Sequence, residues 1–162
     1  MKKDGRYMPD SFQHELIMVV REEKGLVIFT GCAHKGILNI IDAVKRHFKN
    51  ETIRSIFGGF HLMAERKRDV RSIGKELGKY CIGRVYTGHC TGRKAASLLK
   101  EVMGEKLVYF ATGSEALRDV LDRAGQTVGK RMMRILPLFA NILFALSPPG
   151  PRTEQYFLTY SI

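Results

Sequence analysis

At 162 residues the chain is near the usual size of one domain and can bury most of its apolar surface without covalent staples. Apolar residues at 44% and charged residues at 27% exclude intrinsic disorder, and three cysteines without a charged-then-apolar leader argue against a disulfide framework, leaving the cytoplasm as the expected compartment. The net charge of +11 would favour anionic partners such as nucleic acid or a phosphorylated small molecule, but a basic solvated surface is the preferred account of it.

The first fifteen residues are polar, with Pro9-Asp10-Ser11 as turn chemistry, and read as a connector. Two β-rich runs, Leu16 to Val20 and Leu26 to Phe29, flank the charged stretch Arg21 to Gly25 and predict a β-hairpin. Thr30 to Gly36 is a Gly-bearing turn, after which Ile37, Leu38, Ile40, Ile41, Ala43 and Val44 recur at near-helical spacing up to about His47. The pattern then repeats. A strand from Ile53 to Phe57 ends in Gly58-Gly59-Phe60-His61 before an amphipathic helix from about Glu65 to Tyr80. Gly83 to Tyr86 is a strand ending in Thr87-Gly88-His89-Cys90-Thr91-Gly92, with a helix from about Lys94 to Met103. A last strand, Lys106 to Phe110, leads to a helix from about Glu115 to Ala124.

Strands alternating with helices of this length imply an α/β layered fold. Residues 1–124 form this unit, and residues 125–162 are an apolar, Pro-containing tail of unknown role. The run Ile135 to Leu146, interrupted by Pro137 and Asn141, is shorter than the ~20 residues that span a bilayer and suits a buried segment or contact with a membrane surface.

His34, His61 and His89 are three of the five histidines, each in a Gly-bearing turn directly after a predicted strand. Functional groups in α/β folds gather at the carboxyl ends of strands, where loops present them on a rigid base. Imidazole is the commonest protein ligand for zinc, and such metals activate water near neutral pH. One histidine in such a turn is ordinarily a hydrogen-bonded structural residue; three in equivalent places point to a shared hydrolytic metal site. Cys32 and Cys90 flank two of these histidines and can ligate a soft or borderline metal as thiolates. The alternative, a small buried residue, is preferred for Cys90 and evenly balanced for Cys32. His14 beside Glu15 reads as a solvated loop residue before an acid–base group, and His47 as a surface residue.

The segments Gly25 to Ile37, Gly58-Gly59-Phe60-His61-Leu62 and Thr87-Gly88-His89-Cys90-Thr91-Gly92 together resemble one branch of the metallo-β-lactamase superfamily. That branch is named after the dihydropterin ribofuranosylaminobenzene phosphate synthases. The match runs from about Asp10, through Phe12-Gln13-His14-Glu15-Leu16, to about Ser114. The resemblance implies the C-terminal half of a four-layer αββα sandwich, with a mixed β-sheet and flanking helices. It also implies one or two divalent metal ions, zinc first and iron or manganese as alternatives, where activated water attacks a phosphoester, ester or related bond. On this resemblance His89 is a late histidine ligand, Cys32 and His34 fall where other branches place a bridging aspartate, so that one of them faces the metals, and His61, similar in position to a residue that meets substrate or metal, takes the catalytic role. The superfamily's early His-x-His-x-Asp-His motif has no counterpart here, since the chain contains no His-x-His. Without that half, apolar strand faces are expected to stay exposed.

The expected function is metal-dependent hydrolysis of a small, phosphorylated substrate by a truncated or split domain, completed by a separate N-terminal half or a homo-oligomer. The alternative is a non-catalytic remnant or binding module using the basic surface and apolar tail. Nucleic-acid processing ranks below both, because no base-reading or stacking motif is present.

Overall fold

A computed structural model describes residues 2–3, 6–7, 12, 15–111 and 154–158. Lys2–Lys3 (β1) pairs antiparallel with Arg6–Tyr7 (β2), giving local order where the sequence reads as a connector. The predicted hairpin is present as Ile17–Glu22 (β3) and Gly25–Thr30 (β4), paired from Ile17↔Thr30 to Glu22↔Gly25. Both strands run beyond their apolar cores. Arg21 and Glu22 are accommodated because each finds an opposite charge near the start of the strand from Ile53. The Arg21 guanidinium donates to Glu51 at 2.6 Å, and Arg54 pairs with Glu22. Leu16 is 38% exposed, and the strand begins at Ile17, where burial is complete.

Three helix–strand pairs follow β4 in the expected order. They are Ile37–His47 (α1), Ile53–Gly58 (β5), Lys67–Lys79 (α2), Ile82–Thr87 (β6), Arg93–Met103 (α3) and Leu107–Tyr109 (β7). A short 3-10 turn, Gly104–Lys106, takes the start of the last predicted strand. The helix expected over 115–124 and the apolar run at 135–146 lie outside the described residues.

The sheet order is β7-β6-β5-β4-β3-β8, where β8 is Glu154–Leu158. Strands β4 to β7 run parallel, and β3 is antiparallel to both β4 and β8, so the sheet is mixed. Five residues assigned by sequence to the tail therefore pair along β3, from Arg21↔Glu154 to Ile17↔Leu158.

Alternation along the strands divides the core in two. On one face Ile17, Val19, Leu26, Ile28, Ile56, Val85 and Leu107 pack with Ile37, Ile40, Ile41 and Val44 of α1, Val70 and Leu77 of α2, and Ala95 and Leu99 of α3. All three helices thus cover the same side. On the other face Val20, Val27, Phe57 and Tyr86 cluster with Phe29 and Val108. The sequence led to the expectation that such a face lies open, but its four central side chains are only 4–8% exposed. Phe57 stacks on Phe29 at 5.1 Å and on Tyr86 at 4.4 Å, so the rings pack side by side across three strands.

Among the described residues no helix is long and apolar enough to cross a membrane. Leu99 is fully buried beneath α3, so Leu99→Ala should cost about 2–5 kcal/mol in chemical denaturation, whereas exposed Lys100→Ala should stay within about 0.5 kcal/mol.

Candidate metal centre

Because β4, β5 and β6 are parallel neighbours, the turns after Thr30, Gly58 and Thr87 emerge side by side at one sheet edge. Short backbone links tie them together. Gly59 N–H donates to the Gly31 carbonyl at 2.8 Å, and Met63 N–H donates to the Cys90 carbonyl at 3.2 Å. Thr91, fully buried, accepts from Phe60 N–H at 2.8 Å and lies 2.6 Å from the Thr87 hydroxyl, which also bonds the Gly58 carbonyl at 2.9 Å. Two glycines are required by this crowding. A Cβ on Gly58 would collide with the Thr30 carbonyl, and one on Gly59 would lie 2.5 Å from the Cys90 Sγ.

Each turn also holds one non-glycine residue in the left-handed region: Ala33 at φ 46°, His61 at 52° and His89 at 49°. Such conformations carry strain and persist where the surroundings over-determine them, as they do at functional sites.

Among the described residues, Cys32, His89 and Cys90 form a candidate metal-ligand group. One ligand atom from each lies within 4.8 Å of the others, and Cys32 Sγ is 3.7 Å from His89 Nδ1. A Cys/Cys/His donor set suits zinc and other borderline metals, and three protein ligands leave a position for water or substrate. Burial pushes the Cys90 thiol up to about 11, opposed in part by the His61 backbone N–H beside it.

His34 falls outside this three-residue group. Its ring instead faces His61, 4.5 Å between centroids and tilted 54°, and stacks on Phe12 at 4.8 Å. Both imidazoles are exposed. The structure therefore divides the residues singled out by sequence into Cys32 with His89, and His34 with His61. It adds Cys90, for which the sequence preferred a purely structural role. His14 lies outside the described residues.

Sequence reasoning also missed what fixes the first turn. Glu15, 8% exposed, accepts from the backbone N–H of His34 at 2.6 Å and of Lys35 at 3.1 Å. Helix α1 has no acidic residue in its first turn and no side-chain cap on Gly36, so the Glu15 carboxylate provides negative charge just ahead of its amino end. Thr87 and Thr91, flanking Gly88-His89-Cys90, were a visible signal: small hydroxyls bracketing a tight turn can both donate to and accept from backbone beside it.

Glu15→Ala leaves two backbone N–H groups without their acceptor and should destabilise the fold by about 1–3 kcal/mol in urea denaturation, with Glu15→Gln recovering part of the loss. Alkylation of Cys90 followed by mass spectrometry should accelerate with pH up to about 11, because the raised pKa keeps the thiol protonated at neutral pH.

No family model matches the sequence. The 7,8-dihydropterin-6-methyl-4-(β-D-ribofuranosyl)-aminobenzene-5'-phosphate synthase of Methanocaldococcus jannaschii is 37% identical over 107 residues, 64% of this chain and 35% of that protein. An uncharacterised protein of the same organism is 31% identical over 100 residues, covering 62% of this chain and 36% of its own length. The chain thus spans about a third of the length of these curated relatives. The crystal structure of a metal-dependent hydrolase of the β-lactamase superfamily superposes with a TM-score of 0.63 at 33% identity, over 70% of this chain and 44% of that one. With a mixed sheet, helices on one face and all three turn motifs at one edge, the chain is similar to part of the domain of a metallo-β-lactamase superfamily hydrolase.

Proposed function

We propose that this chain contributes part of the metal site of a metal-dependent hydrolase acting on a phosphoester or related small-molecule bond. The observation that carries the reading is the convergence of Cys32, His89 and Cys90 within 4.8 Å at the carboxyl ends of parallel strands. The donor set fits zinc best and iron next; two thiolates disfavour manganese, which prefers oxygen ligands. A metal held there supplies Lewis acidity and makes water nucleophilic near neutral pH.

The chain's own residues have separate tasks. Cys32, Cys90 and His89 hold the metal. Thr91 and Thr87 tie the second and third turns through the Phe60 N–H and Gly58 carbonyl, and the Gly59 N–H ties the second turn to the first at the Gly31 carbonyl, so the ligands are positioned before a metal arrives. His34 and His61, exposed beside this group, are placed to meet substrate, where an imidazole can donate a proton to a leaving oxygen or a hydrogen bond to a phosphoryl oxygen. Three ligands from this chain satisfy one metal. The lack of any His-x-His, and the one-third span of the relatives, support further ligands from an N-terminal half, whether joined to this chain or separate.

Elemental analysis of the purified chain should find about one equivalent of zinc or iron, falling below a tenth in Cys32→Ser or His89→Ala. Co-expression with a segment carrying His-x-His-x-Asp-His should then confer phosphodiesterase or phosphatase activity, which His61→Gln lowers by about 100-fold or more at unchanged metal content. No metal in either preparation would leave a non-catalytic binding module.

A further inference from the structure

Cys32 and Cys90 are both free thiols and both partly exposed, on turns whose backbones are fixed to one another through Gly59, Gly31 and Met63. Their sulfur atoms lie within the same 4.8 Å span, and Cys90 Sγ is 3.8 Å from the Cys32 carbonyl oxygen. A disulfide requires an S–S distance of about 2.05 Å, so closing the gap takes less than about 3 Å of sulfur movement, within reach of side-chain rotation on both residues. Gly59, which has no side chain, lets Cys90 Sγ sit in the space a Cβ would take there. Cys81 is exposed just before β6 and takes no part in this group.

We propose that Cys32 and Cys90 form a reversible disulfide, with a small-molecule disulfide as oxidant, and that this bond and metal loading exclude each other. The thiolate of one cysteine attacks a sulfur of the oxidant, forming a mixed disulfide and releasing one small thiol. The thiolate of the other cysteine attacks the protein sulfur of that mixed disulfide, breaking the bond to the small molecule and releasing the second thiol. Overall the two cysteines lose two electrons and two protons, and the oxidant gains both. The bond consumes two of the three candidate ligand sulfurs and nitrogens, leaving His89 alone. Disulfide formation stands on the thiol geometry by itself; exclusion by metal rests on the function proposed above.

The test uses the full chain carrying Cys81→Ser, which removes a competing thiol outside the site. Metal-stripped and zinc-loaded samples are incubated with oxidised glutathione, the remaining thiols are blocked, and the peptides are mapped by mass spectrometry without reduction. The expected result is a linked Cys32–Cys90 peptide, lighter by two hydrogens and restored by reductant, in the stripped sample and its absence in the zinc-loaded one. Cys90→Ser should stop at a glutathione adduct on Cys32. Two free thiols, or glutathione adducts with no linked peptide in the unsubstituted pair, overturn the proposal. A linked peptide that forms equally with zinc present keeps the disulfide, overturns the exclusion and counts against the metal reading.

Discussion

Three adjacent strands that run parallel end on the same side, and the chemistry of this molecule depends on that constraint. Had β5 run antiparallel to β4 and β6, the turn bearing His61 would lie at the opposite edge from Cys32 and His89. Parallel pairing demands a crossover between each pair of strands, and α1 and α2 provide those crossovers. Their apolar stripes bury one sheet face, so the same helices that close the core also allow the three turns to meet.

Meeting is not enough to make a site, since flexible turns would hold three ligand atoms only occasionally. Here the turns are braced by buried hydroxyls and by backbone bonds between loops. Thr87 and Thr91 are each fully buried, and each spans from one turn to the next. Glu15 braces the first turn from outside. This bracing allows Ala33, His61 and His89 to occupy left-handed backbone conformations that short unsupported turns would relax.

The strand–turn–helix recurrence was legible because it rests on local period: alternation in β3 and β4, and the 3.6-residue spacing of Ile37, Ile40, Ile41 and Val44. The three histidines were legible as a set for the same reason, by their repeated place after a strand. What stayed hidden depended on distance through space. Cys90 shared the turn with His89, but only the approach of the Cys32 turn distinguishes a ligand from a small buried residue. His34 lies two residues beyond Cys32, yet the turn at Ala33 sends its ring toward His61 instead. Glu15 looked like one more charge before a strand, because its two partners are 19 and 20 residues away. Strand β8 follows a Pro-rich stretch, which directs a sequence reading toward a loop, and its pairing with β3 involves residues from almost the other end of the chain.

That last pairing has a bearing on how the protein is made. A nascent chain can complete the hairpin β3–β4 and add β5, β6 and β7 one at a time, each beside the strand before it. Among the described residues the free side of β3 has no such local neighbour. Until residues 154–158 have left the ribosome, its N–H and C=O groups remain an open template, the kind that pairs readily with another chain. Losing the closing segment, through a stalled ribosome or a proteolytic cut, would leave the turns at the far edge intact while turning β3 into a site of self-association.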